Sequence, residues 1–104
     1  MEMNIEEIKR KVGTGFYEVA KHAEIERQKD GLEIKDVKNS IFNGRIIEEY
    51  PDDPRNPSCL VFGFDKNGIP IHSLCAFLKS GKIRICTVYI PDDDEWINYQ
   101  IRKR

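Results

Sequence analysis

A chain of 104 residues, 39% apolar and 10% aromatic, has material for one modest core, so a single domain over 1–104 is expected. Its 17 Lys and Arg against 18 Asp and Glu leave a formal net charge of -1, so any nucleic-acid site must be a local patch rather than an effect of overall charge. No apolar run approaches the ~20 residues of a membrane-spanning helix, the start MEMNIEEIKRK has no secretory apolar region, and the single, odd-numbered Cys59, Cys75 and Cys86 form neither a disulfide framework nor a C-x-x-C zinc pair; a cytoplasmic protein with buried, reduced thiols is expected.

In chain order, NIEEIKRKVG places Ile5, Ile8 and Val12 on one stripe, with Asn4 as N-cap, Glu7 as its capping-box partner and Gly13 as terminator. KHAEIERQKDG reads as a second, less periodic helix ending at Gly31. LEIKDVKNSIFNG carries Ile34, Val37 and Ile41 on one stripe and stops at Asn43-Gly44. The apolar period then becomes two. RIIEEYP, SCLVFGFD, IPIHSLCAFL and IRICTVYIP read as four strands, separated by the proline-rich loop PDDPRNP, the Asn67-Gly68 turn and the KSGK turn. Pro70 belongs at a strand start or edge. The tail DDDEWINYQIRKR has acids first and bases last, which suits a short C-terminal helix. The expected fold class is α+β: two or three N-terminal helices packed on an antiparallel four-stranded meander, closed by that short helix. The predicted core sets Ile46, Leu60, Phe62, Leu74, Ile83 and Ile85 against Ile34, Val37 and Ile41.

Strand alternation puts Ile71, Ser73, Cys75 and Phe77 on one face and His72, Leu74, Ala76 and Leu78 on the other. On the last strand it groups Ile83, Ile85, Thr87 and Tyr89 against Arg84, Cys86 and Val88. Neither face is cleanly apolar, so alternation alone leaves open which one meets the helices. His72 is the leading polar candidate, read either as an acid/base or phosphate-contacting group or as a buried imidazole satisfied by hydrogen bonds. His22 has Glu26 four residues on, hence on the same helix face. Lys79, Lys82 and Arg84 form a basic patch at the last hairpin, and Arg102, Lys103 and Arg104 another at the tail; a solvated turn and a solubilising tail account for such charges more readily than phosphate sites do. No nucleophile motif, phosphate loop, dinucleotide fingerprint or metal cluster is present, so neither cofactor nor metal is expected. Counting outward from KSGK with Leu78 opposite Ile83 brings His72 opposite Tyr89.

The series HAEIER, IIEEYPDD, PSCLVFG, GIPIH and TVYIPDDDEW resembles, over roughly residues 19–96, a family catalogued as a domain of unknown function (DUF4258). That family is similar to the RelE/ParE and BrnT toxins of toxin–antitoxin systems. The resemblance implies a RelE/ParE-toxin-like fold and marks His22, Glu26, Arg27, Tyr50, Gly63, Gly68, Pro70, His72, Thr87, Tyr89 and Trp96. It implies a catalytic set of His72, His22, Tyr89, Glu26 and Thr87, with Arg27 and Tyr50 at the substrate, where Arg84 and Lys82 of the basic patch would join them. It further implies a metal-independent endoribonuclease acting on RNA and held by a cognate antitoxin, a zinc-finger protein. The acidic pI departs from the strongly basic members of that group. The alternatives are a non-catalytic module of the same fold acting through protein–protein contacts, and a small regulatory protein acting as a homodimer.

Overall fold

The computed structural model describes residues 3–103; Arg104, the end of the predicted basic tail, lies outside them. The chain runs α1 (Ile5–Gly13), β1 (Tyr17–Val19), α2 (Lys21–Lys29), α3 (Ile34–Phe42), β2 (Arg45–Tyr50), β3 (Ser58–Phe64), β4 (Pro70–Phe77), β5 (Ile83–Tyr89), β6 (Trp96–Ile97) and β7 (Ile101–Arg102). The fold is α+β, with three helices, a five-stranded mixed sheet of order β1-β5-β4-β3-β2 and a small β6-β7 sheet.

Two features depart from the predicted meander. Tyr17–Val19 forms a strand that runs parallel to β5 at Ile83–Ile85, making the sheet five-stranded and mixed. Three residues are too few to show a period, so the alternation test could not detect it. The predicted C-terminal helix is also absent. The acids do start one turn, in which the Asp92 carbonyl accepts from the Glu95 and Trp96 amides. Trp96 then docks on the sheet, and positive φ at Asn98 (52°) and Tyr99 (63°) turns the chain back as a hairpin. Docking of the indole overrides a weak local helical preference.

The helices are placed by different means. Asn4 caps α1 through its side chain, accepting from the Glu6 amide at 2.8 Å. Glu7 pairs not with the cap but with Lys11, also at 2.8 Å. A reciprocal Glu33–Asp36 capping box starts α3, which buries Val37, Ser40 and Ile41. By contrast α2 buries only Ala23, so no apolar stripe fixes it. Instead it lies beside β5 beyond the end of β1, where Glu26 accepts from the Val88 amide at 3.0 Å and Asp30 from the Ile90 amide at 3.4 Å. These carboxylates satisfy strand-edge donors that no neighbouring strand reaches.

The core lies between the sheet and the helices. Ile8, Val12, Val37 and Ile41 meet Cys59, Val61, Ile71, Cys75, Phe77, Ile83, Ile85 and Val88. Three members of the predicted core are misplaced: Leu60, Phe62 and Leu74 register with one another and with His72 on the opposite face of the sheet. The grouping on β5 also fails beyond Ile85. Leu74 pairs with Thr87 while Cys75 pairs with Ile85, so Cys86 is an extra residue. This bulge sends Val88 into the core and Thr87 and Tyr89 to the open face.

Helix α3 approaches β3 so closely that a methyl group on Gly63 would overlap the Ser40 carbonyl. Beside it, the Asn43 side chain accepts from the Phe64 amide at 3.0 Å and donates to the Phe64 carbonyl at 2.7 Å, imitating a neighbouring strand. Gly63→Ala should therefore cost about 3 kcal/mol in urea unfolding, the upper range for overpacking; a loss under about 1 kcal/mol would show that α3 does not rest there. Cys59 and Cys75 are buried and Cys86 half-buried, and burial pushes the Cys59 thiol up to about 12. A thiol reagent should leave Cys59 and Cys75 untouched in the native protein and modify Cys86 slowly; rapid modification of all three would refute the packing.

Candidate functional site

The open face of the sheet carries a trough. One part, of roughly 280 Å³, is lined by His22, Asp53, Arg55, Asn56, Ser58, Leu74, Ala76, Arg84, Cys86 and Thr87. A second, of roughly 300 Å³, adds Tyr50, Leu60, Tyr89 and Arg102 and shares Asp53, Arg55, Ser58, Leu74 and Thr87 with the first. The floor comes from β3, β4 and β5 by register: Leu60 opposite Leu74, Leu74 opposite Thr87, Ser58 opposite Ala76. The rim comes from α2, the loop after β2, Arg84 of β5, and β7.

Every guanidinium on the rim already holds a carboxylate. Arg84 Nε lies 2.8 Å from Glu18 of β1, Arg55 lies 3.1 Å from Asp53, and Arg102 lies 3.0 Å from Glu48. Hydrogen bonds from Arg55, first its side chain and then its backbone amide, hold the Asp53 carboxyl below its ordinary value. Burial alone would raise the Glu48 carboxyl, but hydrogen bonds from Arg102 and Tyr50 outweigh it and keep Glu48 ionised. The Tyr50 hydroxyl donates to Glu48.

The two histidines occupy opposite environments. His72 is fully buried. Its Nε2 donates to the Tyr99 carbonyl at 2.6 Å, so in the neutral ring Nδ1 accepts from the Tyr89 hydroxyl at 3.1 Å. The rings of Trp96 (4.5 Å), Tyr89 (5.1 Å) and Phe62 (5.7 Å) stand edge-on around it. Burial lowers the His72 pKa below its ordinary 6.5 and pushes Tyr89 up to about 12. With both nitrogens engaged, His72 has no free position to offer a ligand. His22, with a side chain 70% exposed, lies at the trough with Nε2 3.2 Å from Glu26. Glu26 spends its other oxygen on the Val88 amide, so it both anchors α2 and orients His22.

Of the residues singled out from sequence, the structure brings His22, Arg84, Thr87, Tyr50 and Tyr89 to the trough, with Glu26 behind His22 and His72 behind Tyr89. Arg27 and Lys82 line neither part. Arg27 bonds Glu24 at 2.8 Å and the Leu32 carbonyl at 3.0 Å, tying off α2. Lys82 sits in the β4–β5 turn. Sequence reasoning missed Asp53, Arg55, Ser58, Glu18 and Glu48, and read Arg102 as a solubilising tail. In a proline-rich loop or at a terminus, such charges carry no periodic signal. Among the described residues no group of His, Cys, Asp and Glu is arranged to hold a metal, and no helix is long and apolar enough to cross a membrane.

His72→Ala leaves the Tyr89 hydroxyl without its partner and removes the donor to the Tyr99 carbonyl. It should lower stability by about 1–3 kcal/mol. A melting curve indistinguishable from wild type would show that His72 is not the support described.

No curated protein and no solved structure matches the chain. Residues 19–90, from the end of β1 to just past β5, match a family described as a domain of unknown function (DUF4258). That segment is well over half of the 104 residues, and the chain belongs to this family.

Proposed function

We propose that the protein is the toxin-type component of a bacterial or archaeal type II toxin–antitoxin pair, with a RelE-like fold, and that it engages and cleaves RNA through the open face of its sheet. The observation that carries this reading is the trough itself: a sheet face lined by one exposed imidazole, three guanidiniums and the hydroxyl-bearing side chains of Ser58, Thr87 and Tyr89. RNA cleavage without a metal needs a base for the ribose 2′-hydroxyl and donors for the phosphate as charge builds on it. The 2′-oxygen attacks the adjacent phosphorus, its proton goes to the base, and the 5′-oxygen of the next nucleotide departs with a proton from water, leaving a 2′,3′-cyclic phosphate. His22, oriented by Glu26, is the imidazole exposed enough to take that proton. Arg84, Arg55 and Thr87 stand where a phosphate would lie. His72 supports Tyr89 and does not act on substrate. The cognate antitoxin, a zinc-finger protein, would cover the same face.

A second reading, a non-catalytic module that binds a protein partner, draws on the pairing of all three guanidiniums with carboxylates. An apolar floor with paired charges at its rim also suits a protein surface.

The two readings separate under expression without an antitoxin. The RNA reading expects growth arrest and RNA ends bearing 2′,3′-cyclic phosphates. His22→Ala and Arg84→Ala should each reduce cleavage by about 100-fold or more while leaving the melting temperature close to wild type. The log of RNA affinity against log salt should fall with a slope of about -1.4 to -2.1, two to three single-strand phosphates. Wild-type protein that neither arrests growth nor binds RNA leaves the partner-binding reading.

A further inference from the structure

The β6–β7 hairpin lies beyond the segment matched by the family and meets the sheet through Trp96, Tyr99 and Arg102. Trp96 is 4% exposed and sits edge-on to His72. The Tyr99 carbonyl accepts from His72 Nε2 at 2.6 Å. Arg102 covers the Trp96 ring at 4.5 Å and reaches Glu48 at 3.0 Å. The other side of the hairpin holds little: Ile97 is 46% and Ile101 62% exposed. One imidazole, one indole, one ion pair and the tilted contact of the Tyr99 ring with Phe62 at 6.2 Å thus fasten the segment that carries Arg102 to the end of the trough.

The imidazole in that set fits only one protonation state well. A carbonyl can only accept, so Nε2 must carry the proton and Nδ1 must accept from Tyr89. A second proton would turn Nδ1 from acceptor to donor, force the Tyr89 hydroxyl to reorient, and leave a charge beneath Trp96 and Phe62. When the hairpin lifts, the same imidazole is wetted and holds that proton without penalty. We infer that the C-terminal hairpin is a strap latched by neutral His72 and released on its protonation, withdrawing Arg102 from the trough as pH falls.

The charged and titratable groups around the latch come from three sides. Glu48 stands on β2 with Tyr50 bonded to it, Tyr89 stands on β5, and Glu95, Tyr99 and Arg102 belong to the C-terminal segment. Burial lowers the His72 pKa; the hydrogen bond to Tyr99 and the Glu48 carboxylate work against it, and Arg102 works with it. The docked imidazole therefore titrates below 6.5 and the released one near 6.5. Above that value both forms are neutral and the latch is at full strength. As pH drops below it, the released form takes up a proton first, and docking weakens until the docked value is passed.

The latch itself stands whatever the trough binds; only its effect on Arg102 rests on the trough being the working site. Trp96 is the protein's only tryptophan, so acrylamide quenching of its fluorescence reads strap release directly, independent of any quenching by the imidazolium. Between about pH 8 and about pH 5 the quenching constant should rise about threefold, with helix and sheet content unchanged. Its midpoint should coincide with that of the His72 ring followed by NMR. His72→Gln offers an amide donor to the Tyr99 carbonyl but nothing to titrate, and should abolish the transition. The proposal is overturned if Trp96 stays shielded while His72 titrates, if its exposure follows carboxylate titration instead, or if His72→Gln shows the same transition. Should that variant not fold, the wild-type comparison of the two midpoints decides alone. RNA binding absent at about pH 8 with the transition intact would refute the trough reading and leave the latch standing.

Discussion

The architecture turns on a constraint in β5. Ile83, Ile85 and Val88 are all buried against the helices, yet Ile85 and Val88 are three apart, an odd step that a regular strand would place on opposite faces. The bulge at Cys86 resolves this by adding one residue opposite Leu74. Thr87 and Tyr89 then share the open face with Arg84, and Tyr89 comes to stand opposite His72. The amide just beyond the bulge, that of Val88, goes to Glu26, which in turn fixes α2 and the direction of His22. Core, trough and helix placement all follow from one irregular residue.

This explains what could be read from the sequence and what could not. Helices α1 and α3 have apolar stripes, β4 is a largely apolar run, and Asn67-Gly68 turns where its residues require, with Gly68 at φ 80°. Those features are local, and local chemistry decides them. The bulge is not local: it is visible only as a break in phase after Ile85, which the mixed character of both faces conceals. The His72–Tyr89 pairing was nevertheless legible, because two errors cancel. The register begins at Phe77 opposite Ile83, not Leu78, and the extra residue at Cys86 restores the count. Apolar residues on a sheet suggest helices above them, which is why the sequence pattern puts Leu60, Phe62 and Leu74 in the core. Here they floor a trough and carry the C-terminal hairpin instead.

The histidines illustrate how burial, rather than residue type, divides support from chemistry. From sequence, His72 is the more conspicuous, an imidazole within an apolar run. In the fold that run is what removes it from reach: both nitrogens are committed and three aromatic edges enclose it. His22 lies on a helix without an apolar stripe and looks ordinary. Yet that helix is held by carboxylates at the edge of β5, and the same Glu26 that binds the strand also bonds the imidazole. A group at a trough with a fixed second partner is better placed for proton transfer than one sealed beneath it.

The pairing of each rim guanidinium with a carboxylate bears on what the trough selects. Exposed ion pairs contribute little to stability because water screens them and the side chains lose freedom. On the proposed RNA reading, exchanging Glu18 or Asp53 for a ligand phosphate would therefore be a small change in energy. With a net charge of -1 the protein exerts no long-range pull on a polyanion. On the proposed RNA reading, recognition would come from contacts made after encounter: the apolar floor of Leu60 and Leu74, the hydroxyls of Ser58 and Thr87, and the shape of the trough between them. A strongly basic groove binds any nucleic acid and discriminates afterwards. A compensated one would discriminate at the point of contact, and under the proposed latch the C-terminal hairpin would set how long that groove is by placing or withdrawing Arg102 at its end.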